Sequence, residues 1–182
     1  MRGRRQARRD ERASFGHGGD ATRYQMREKL LSIGDDSWIE NAAGEHAFKV
    51  NGKALRVRKT LVLEDLAGNE LCKIQERKLR LKDSMEIEGP DGDRLAMVKQ
   101  AMLTPLRARF DVKMEDGPDL RVQGNIVDHE YEIEADGTKI AEISKRWFRV
   151  RDTYGVDIAP GQDDIVILAV TVAVDAMADG AG

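Results

Sequence analysis

The sequence predicts a mainly β fold: a closed antiparallel barrel of about twelve strands around a buried hydrophobic C-terminal helix. Three observations carry that expectation. A turn phrase recurs five times along the chain. The segments between the turns alternate apolar and charged residues. After them comes an uninterrupted apolar run, Ile165 to Val174.

In the turn phrase an apolar residue precedes Glu, a short turn with Gly follows, and a second alternation begins. It reads Ile39-Glu40 to Gly44, Leu63-Glu64 to Gly68, Ile87-Glu88 to Gly92, Met114-Glu115 to Gly117 and Ile133-Glu134 to Gly137. These glycines fall 24, 24, 25 and 20 residues apart. Asp91-Gly92, Asp116-Gly117 and Asp136-Gly137 are short-range hairpin signals, because Gly tolerates positive φ. Each unit is a hairpin with a connection, so five units imply ten or more strands in a meander.

The flanking segments agree. Leu55-Arg56-Val57-Arg58, Leu79-Arg80-Leu81-Lys82, Phe110-Asp111-Val112-Lys113-Met114 and Tyr131-Glu132-Ile133-Glu134 all alternate. A period of two buries one face and wets the other. That polar face, repeated over a dozen strands, explains a charged fraction of 35%, well above the usual quarter. Pro105 and Pro118 fall at expected strand boundaries, where a missing N–H does least harm. The first segment, Tyr24 to Ile33, reads as a strand or as one amphipathic helix. A strand is expected because it enters a β domain.

The apolar run carries opposing signals. Seven of its ten residues are Ile, Val or Thr, which favours a strand. Asp163 and Asp164 before it suit a helix N-terminus, where carboxylates cap free N–H groups. Ala169, Ala173, Ala176 and Ala178 continue it, and Gly180 offers a stop. A helix apolar on every side must be buried on every side. A barrel of eleven or twelve strands is wide enough to hold one, whereas about eight strands fill with their own side chains.

Composition narrows the function classes. A length of 182 residues favours one domain, and aromatics at 5% leave Val, Ile, Leu and Ala to fill its core. The net charge of -3 excludes a wholly basic nucleic-acid binder but not a local basic patch. The single Cys72 rules out an internal disulfide and a cysteine-based zinc site. As a helix the apolar run would reach only about 15 Å, against a hydrocarbon core of about 30 Å. No apolar signal region follows the N-terminus, so the cytoplasm is the expected compartment. Residues 1–22 are expected to form a disordered basic tail. Within its first 13 residues Arg2, Arg4, Arg5, Arg8, Arg9 and Arg12 stand against Asp10 and Glu11, a local +4 that leaves about -7 for the rest. Such a tail reads as a solvated extension or as a contact for nucleic acid or anionic lipid.

Several stretches resemble the LURP-one-related family, which is grouped with the Tubby C-terminal domain and the phospholipid scramblases. They are Tyr24-Gln25-Met26, Lys53-Ala54-Leu55, Lys73-Ile74-Gln75-Glu76 and Asp128-His129-Glu130-Tyr131. Ser144-Lys145-Arg146-Trp147 with Asp152-Thr153-Tyr154-Gly155-Val156 follows, then Leu168-Ala169-Val170 and Val174-Asp175. The resemblance spans residues 24–178. It implies a twelve-stranded barrel over 23–180 around a central helix at about 163–178, and so resolves the strand-or-helix question. It also implies a non-enzymatic binding module. Tubby-type members bind phosphoinositide head groups through basic residues, and scramblases are said to bind calcium near the equivalent of Asp152–Asp164. No stretch here matches the Tubby-type lipid site. Asp152, Asp157, Asp163 and Asp164 lack the D-x-D-x-D-G spacing of a calcium loop. They are expected to end a strand and cap a helix.

Motifs for catalysis are missing. His17, His46 and His129 do not pair at helical or loop spacing, so no metal site and no cofactor are expected. Asp128-His129-Glu130 suits either an acid–base pair or, more often, a turn before a strand. Ser144 has no G-x-S-x-G context. The better lead is basic. Arg56 and Arg58 share a strand face. Lys73, Arg77, Lys78, Arg80 and Lys82 form a second cluster. Lys145, Arg146, Trp147, Arg149 and Arg151 form a third, with a Trp suited to a lipid interface or to stacking. The competing reading is cross-strand pairing with outward Asp and Glu. The candidate binding residues are therefore Arg56, Arg58, Lys145, Arg146, Trp147, Arg149 and Arg151. Their expected partner is anionic phospholipid, a membrane surface or another anion, with no specific nucleic acid. The alternative is a structural or regulatory scaffold working through protein contacts.

Overall fold

The glycine repeat becomes a repeated hairpin. In the computed structural model, which describes residues 21–27, 36–52, 59–79, 82–104, 106–147 and 152–179, Gly44, Gly68 and Gly92 have φ of 78°, 85° and 85°. Each donates its N–H to the residue three before it, at 3.0–3.1 Å: Asn41, Asp65 and Gly89. Those three residues in turn bond back to Glu45, Asn69 and Asp93 at 2.8–3.0 Å. This is a three-residue loop with a left-handed glycine at its end. In three of these hairpins and in the Gly137 hairpin the register shifts at the Glu of the phrase, at Ile39/Glu40, Leu63/Glu64, Ile87/Glu88 and Ile133/Glu134. The recurring apolar-Glu pair therefore marks a β-bulge, which sharpens the twist that barrel closure needs.

Twelve strands result: β1 (Thr22–Arg27), β2 (Ser37–Asn41), β3 (His46–Gly52), β4 (Thr60–Glu64), β5 (Glu70–Leu79), β6 (Lys82–Glu88), β7 (Arg94–Leu103), β8 (Ala108–Met114), β9 (Leu120–Asn125), β10 (Glu130–Ala135), β11 (Thr138–Ser144) and β12 (Thr153–Ile158). Each pairs antiparallel with its sequence neighbour, and β1 pairs with β12 to close the barrel. Closure leaves no free edge. The first segment is a strand as far as Arg27, and its remainder, 28–33, lies outside the described residues, as do residues 1–20 of the expected tail. Pro118 lies in the β8–β9 turn.

The apolar run is a helix, α1 (Asp164–Asp179). Asp163 accepts the N–H of Val166 through Oδ1 at 3.1 Å and that of Ile167 through its backbone carbonyl at 3.0 Å. Ile167 to Met177 are all buried. Ile165 and Val166 stay half-buried at the barrel mouth, where the sequence reading had them enclosed. Strand propensity is a weak preference, whereas burial on every side of α1 acts on each residue. Inward side chains of the wall, among them Ile39, Ile74, Ile87, Phe110, Ile133 and Ile143, are 0% exposed and join α1 in one core.

Candidate functional site

An even-numbered meander gives the barrel two unlike ends. Six connections lie where α1 enters: 42–45, 65–69, 89–93, 115–119, 136–137 and 159–163. They carry nine Asp or Glu and no Lys or Arg. At the opposite end the described residues of the other connections, 36, 59, 104, 106–107, 126–129, 145–147 and 152, carry four Lys or Arg against three Asp or Glu. The acidic end coincides with the positive N-terminus of α1 and the basic end with its negative C-terminus, as the helix dipole favours. No basic residue lies in the last turn of α1. Lys59 supplies the missing charge from the β3–β4 connection, donating to the Ala176 carbonyl at 3.1 Å.

A polar cluster sits just inside the basic end. Asp175 of α1 is 5% exposed and accepts Tyr131 Oη at 3.2 Å through Oδ1 and Tyr154 Oη through Oδ2. His129 Nε2 lies 3.6 Å from the same carboxylate, and its ring stacks on Tyr154 at 4.2 Å. His129 holds a φ of 51°. Burial, and then the charge of Asp175, hold both tyrosines well above the usual tyrosine range. Asp179 stands exposed at the end of α1, and partial desolvation and then Asp175 push its carboxyl up, against the opposing pull of Lys59 and His129. Gly124 faces this cluster with a φ of 144°, where a Cβ would stand 2.6 Å from the Glu130 carbonyl oxygen and 2.7 Å from Tyr131 Cα. Only glycine allows β9 and β10 to approach so closely there.

Arginines line a groove on the adjoining outer wall. About 860 Å³ is bounded by Met102, Arg107, Arg109 and Arg146, with Glu130, Glu132 and Glu142 between them. Each carboxylate already has a closer partner. Glu130 accepts from Ser144 at 2.9 Å and from the Lys145 N–H at 3.1 Å. Glu132 accepts Gln123 at 3.4 Å, and Glu142 accepts Lys139 at 2.5 Å. Arg109 and Arg146 meet carboxylates only at 3.7 Å.

The predicted residues divide. Arg56, Arg58, Arg149 and Arg151 lie outside the described residues. Lys145, Arg146 and Trp147 follow the end of β11 in a turn rather than continuing as strand. Arg146 is exposed at the basic end. Trp147 is half-buried under the guanidinium of Arg23, 4.8 Å from its ring centre. Arg23 also grips Asp157 through two bonds of 2.6 Å, and that pairing raises its pKa. Of the second basic cluster, Lys73 and Arg77 are paired across strands, and the side chains of Lys78, Arg80 and Lys82 lie outside the described residues. Lys73 meets Glu88 at 2.7 Å, and Arg77 meets Glu86 and Glu88 at 3.2 and 3.3 Å.

Of the aspartates near the helix, Asp163 caps α1. Asp164 accepts Tyr24 Oη at 2.7 Å, and Asp157 lies within β12 rather than at its end. Among the described residues no three His, Cys, Asp or Glu converge on a metal position. Asp128 and His129 do form a turn before β10, but His129 faces Asp175, which lies 46 residues further along the chain. Sequence reasoning missed Arg107, Arg109 and the Asp175 cluster. One signal was available for the arginines. Every second connection is an acidic glycine turn, so the basic connections between them must share the other end.

No helix among the described residues is long and apolar enough to cross a membrane, which says nothing of strands. A comparison with curated proteins gives no sequence match. The fold is similar to the crystal structure of a protein from Arabidopsis thaliana, with a TM-score of 0.64 and 17% identity over 90% of this chain and 93% of that one. Residues 22–175 match the family described as LURP-one-related. With the barrel, its central helix and that match in agreement, the chain belongs to the LURP-one-related family.

Proposed function

We propose that this protein is a non-enzymatic binding module that meets an anionic surface, the phospholipid head groups of a membrane, with the basic end of its barrel. The segregation of charge between the two ends carries this reading. The wall does not support it equally, because its Lys73, Arg77, Arg94, Lys113 and Lys139 are paired with neighbouring carboxylates. The interior is filled by α1, which leaves surface rather than cavity for a ligand. Each Lys or Arg near an anionic leaflet contributes about 1 kcal/mol, screened by salt. A second reading, a scaffold acting through protein contacts, draws on the wall groove, where Arg107, Arg109 and Arg146 alternate with glutamates beside the exposed Met102.

Flotation with phosphatidylcholine vesicles, with and without phosphatidylserine, tests the proposal at near-physiological salt. The full chain is compared with a variant whose six tail arginines are replaced by serine. The proposal expects both to float with the anionic vesicles only, and Arg107→Glu with Arg146→Glu to abolish flotation. If only the chain with its tail arginines floats, the tail explains the binding. If neither floats, the lipid reading falls and the scaffold reading takes its place.

A further inference from the structure

Leu66, Met102, Leu106 and Val127 are the large apolar side chains left exposed among the described residues, and three of them stand at the basic end. Leu106 is 75% exposed in the β7–β8 loop, and Val127 is 61% exposed in the β9–β10 loop. Met102, 45% exposed, precedes the first of these loops. The loops are neighbours on the rim, because Ala108 pairs with both Leu103 and Gly124. Two strand spacings, about 10 Å, separate their crests.

Both crests are held outward by their own loops. Thr104 closes the first, with its N–H and its hydroxyl both donating to the Arg107 carbonyl at 2.8 Å. It accepts the Arg107 N–H in return at 3.1 Å. The second is fixed on both sides. Asn125 accepts the Asp128 N–H at 3.1 Å and donates to its carboxylate at 2.7 Å. Ile126 is buried below, and His129 is clamped on Tyr154. Such loops present Leu106 and Val127 without an ordering cost on binding.

We propose that the barrel docks end-on to an anionic membrane, with Leu106 and Val127 entering the interface and Arg107 and Arg146 meeting lipid phosphates beside them. This rests on the function proposed above and adds its orientation and its inserted residues. Charge complementarity selects the occupant. Apolar crests beside Arg107 and Arg146, where Asp128 and the groove glutamates are already bonded to neighbours, match an interface with hydrocarbon below and phosphate above. A protein partner calls for a continuous complementary patch of about 800 Å², whereas separate crests enter a fluid interface without one. Leu66, at the opposite end, is surrounded by carboxylates and stays in water.

Cys72 allows a clean test. It is 0% exposed and burial pushes its thiol up to about 12, so it resists labelling. Full-length Leu106→Cys, Val127→Cys and Leu66→Cys each take a polarity-sensitive fluorophore on the new thiol. On phosphatidylserine-containing vesicles, labels at positions 106 and 127 should shift to the blue and be quenched by lipid-borne quenchers. The label at position 66 should do neither. The pair Leu106→Ser and Val127→Ser, both on the surface, should weaken vesicle binding about ten-fold or more with an unchanged melting temperature. Flotation with unshifted labels at 106 and 127, or with a shift at 66, overturns the orientation and leaves lipid binding standing. Absence of flotation overturns both.

Discussion

Tyr131 on β10 donates its hydroxyl to Asp175 on the central helix at 3.2 Å, with both residues buried inside the barrel. Tyr154 on β12 donates to the other oxygen of the same carboxylate. One buried aspartate thus ties the last turns of the helix to two strands. Asp175→Ala strands both hydroxyls, and a loss of about 2–4 kcal/mol is expected in chemical denaturation. Asp175→Asn keeps hydrogen-bonding atoms in place and should lose clearly less. Equal losses would show that the bonds to the tyrosines are not what Asp175 contributes.

Alkaline titration tests the same site spectroscopically. The chain has three tyrosines, and all are held above their usual value near 10. Burial comes first in each case, followed by the charge of Asp175 for Tyr131 and Tyr154 and by the bond to Asp164 for Tyr24. Raised values mean that the folded state holds more protons above pH of about 10, so stability falls as pH rises from there. Absorbance at the phenolate band should stay flat past the normal tyrosine range and then rise together with loss of circular dichroism. Phenolate formation by a folded barrel would contradict this.

Asp179 gives the opposite end of the pH scale. Its raised carboxyl pKa makes the folded state bind more protons than the unfolded state above about pH 4. Stability from this group is present below that point and lost as pH rises through the folded value. Asp179→Asn is therefore expected to stabilise the protein at neutral pH and to flatten its stability profile between pH of about 4 and neutrality. An unchanged or steeper slope would refute the assignment.

Two glycines should respond differently to alanine. Gly44 is in the left-handed region but has nothing within 4 Å of its would-be Cβ, so Gly44→Ala should cost about 1–2 kcal/mol from the backbone alone. At Gly124 the Cβ would meet backbone atoms at 2.6 and 2.7 Å. Gly124→Ala should cost roughly 3 kcal/mol or more and disturb the Tyr131 contact. Comparable melting temperatures for the two variants would argue against a close β9–β10 approach.

The hairpins, their period and the alternation of the walls were legible along the chain, because turns and strand faces are local. Gly44, Gly68 and Gly92 need only their own loop to require left-handed φ. The helix was legible only in part. Strand propensity and N-terminal aspartates pointed in opposite directions for Ile165 to Val174, and enclosure by twelve strands decided the outcome.

Register and closure decided the rest. Whether Lys73 and Arg77 were free or paired depended on which β6 residues face them, and Glu86 and Glu88 do. Trp147 read as a free anchor until the β1–β12 closure brought Arg23 over it. The Asp175 cluster draws on the β9–β10 turn, β10, β12 and α1, whose residues share no spacing in the chain. Spacing records only neighbours along the backbone. A site assembled across a barrel exists only once the last strand has paired with the first.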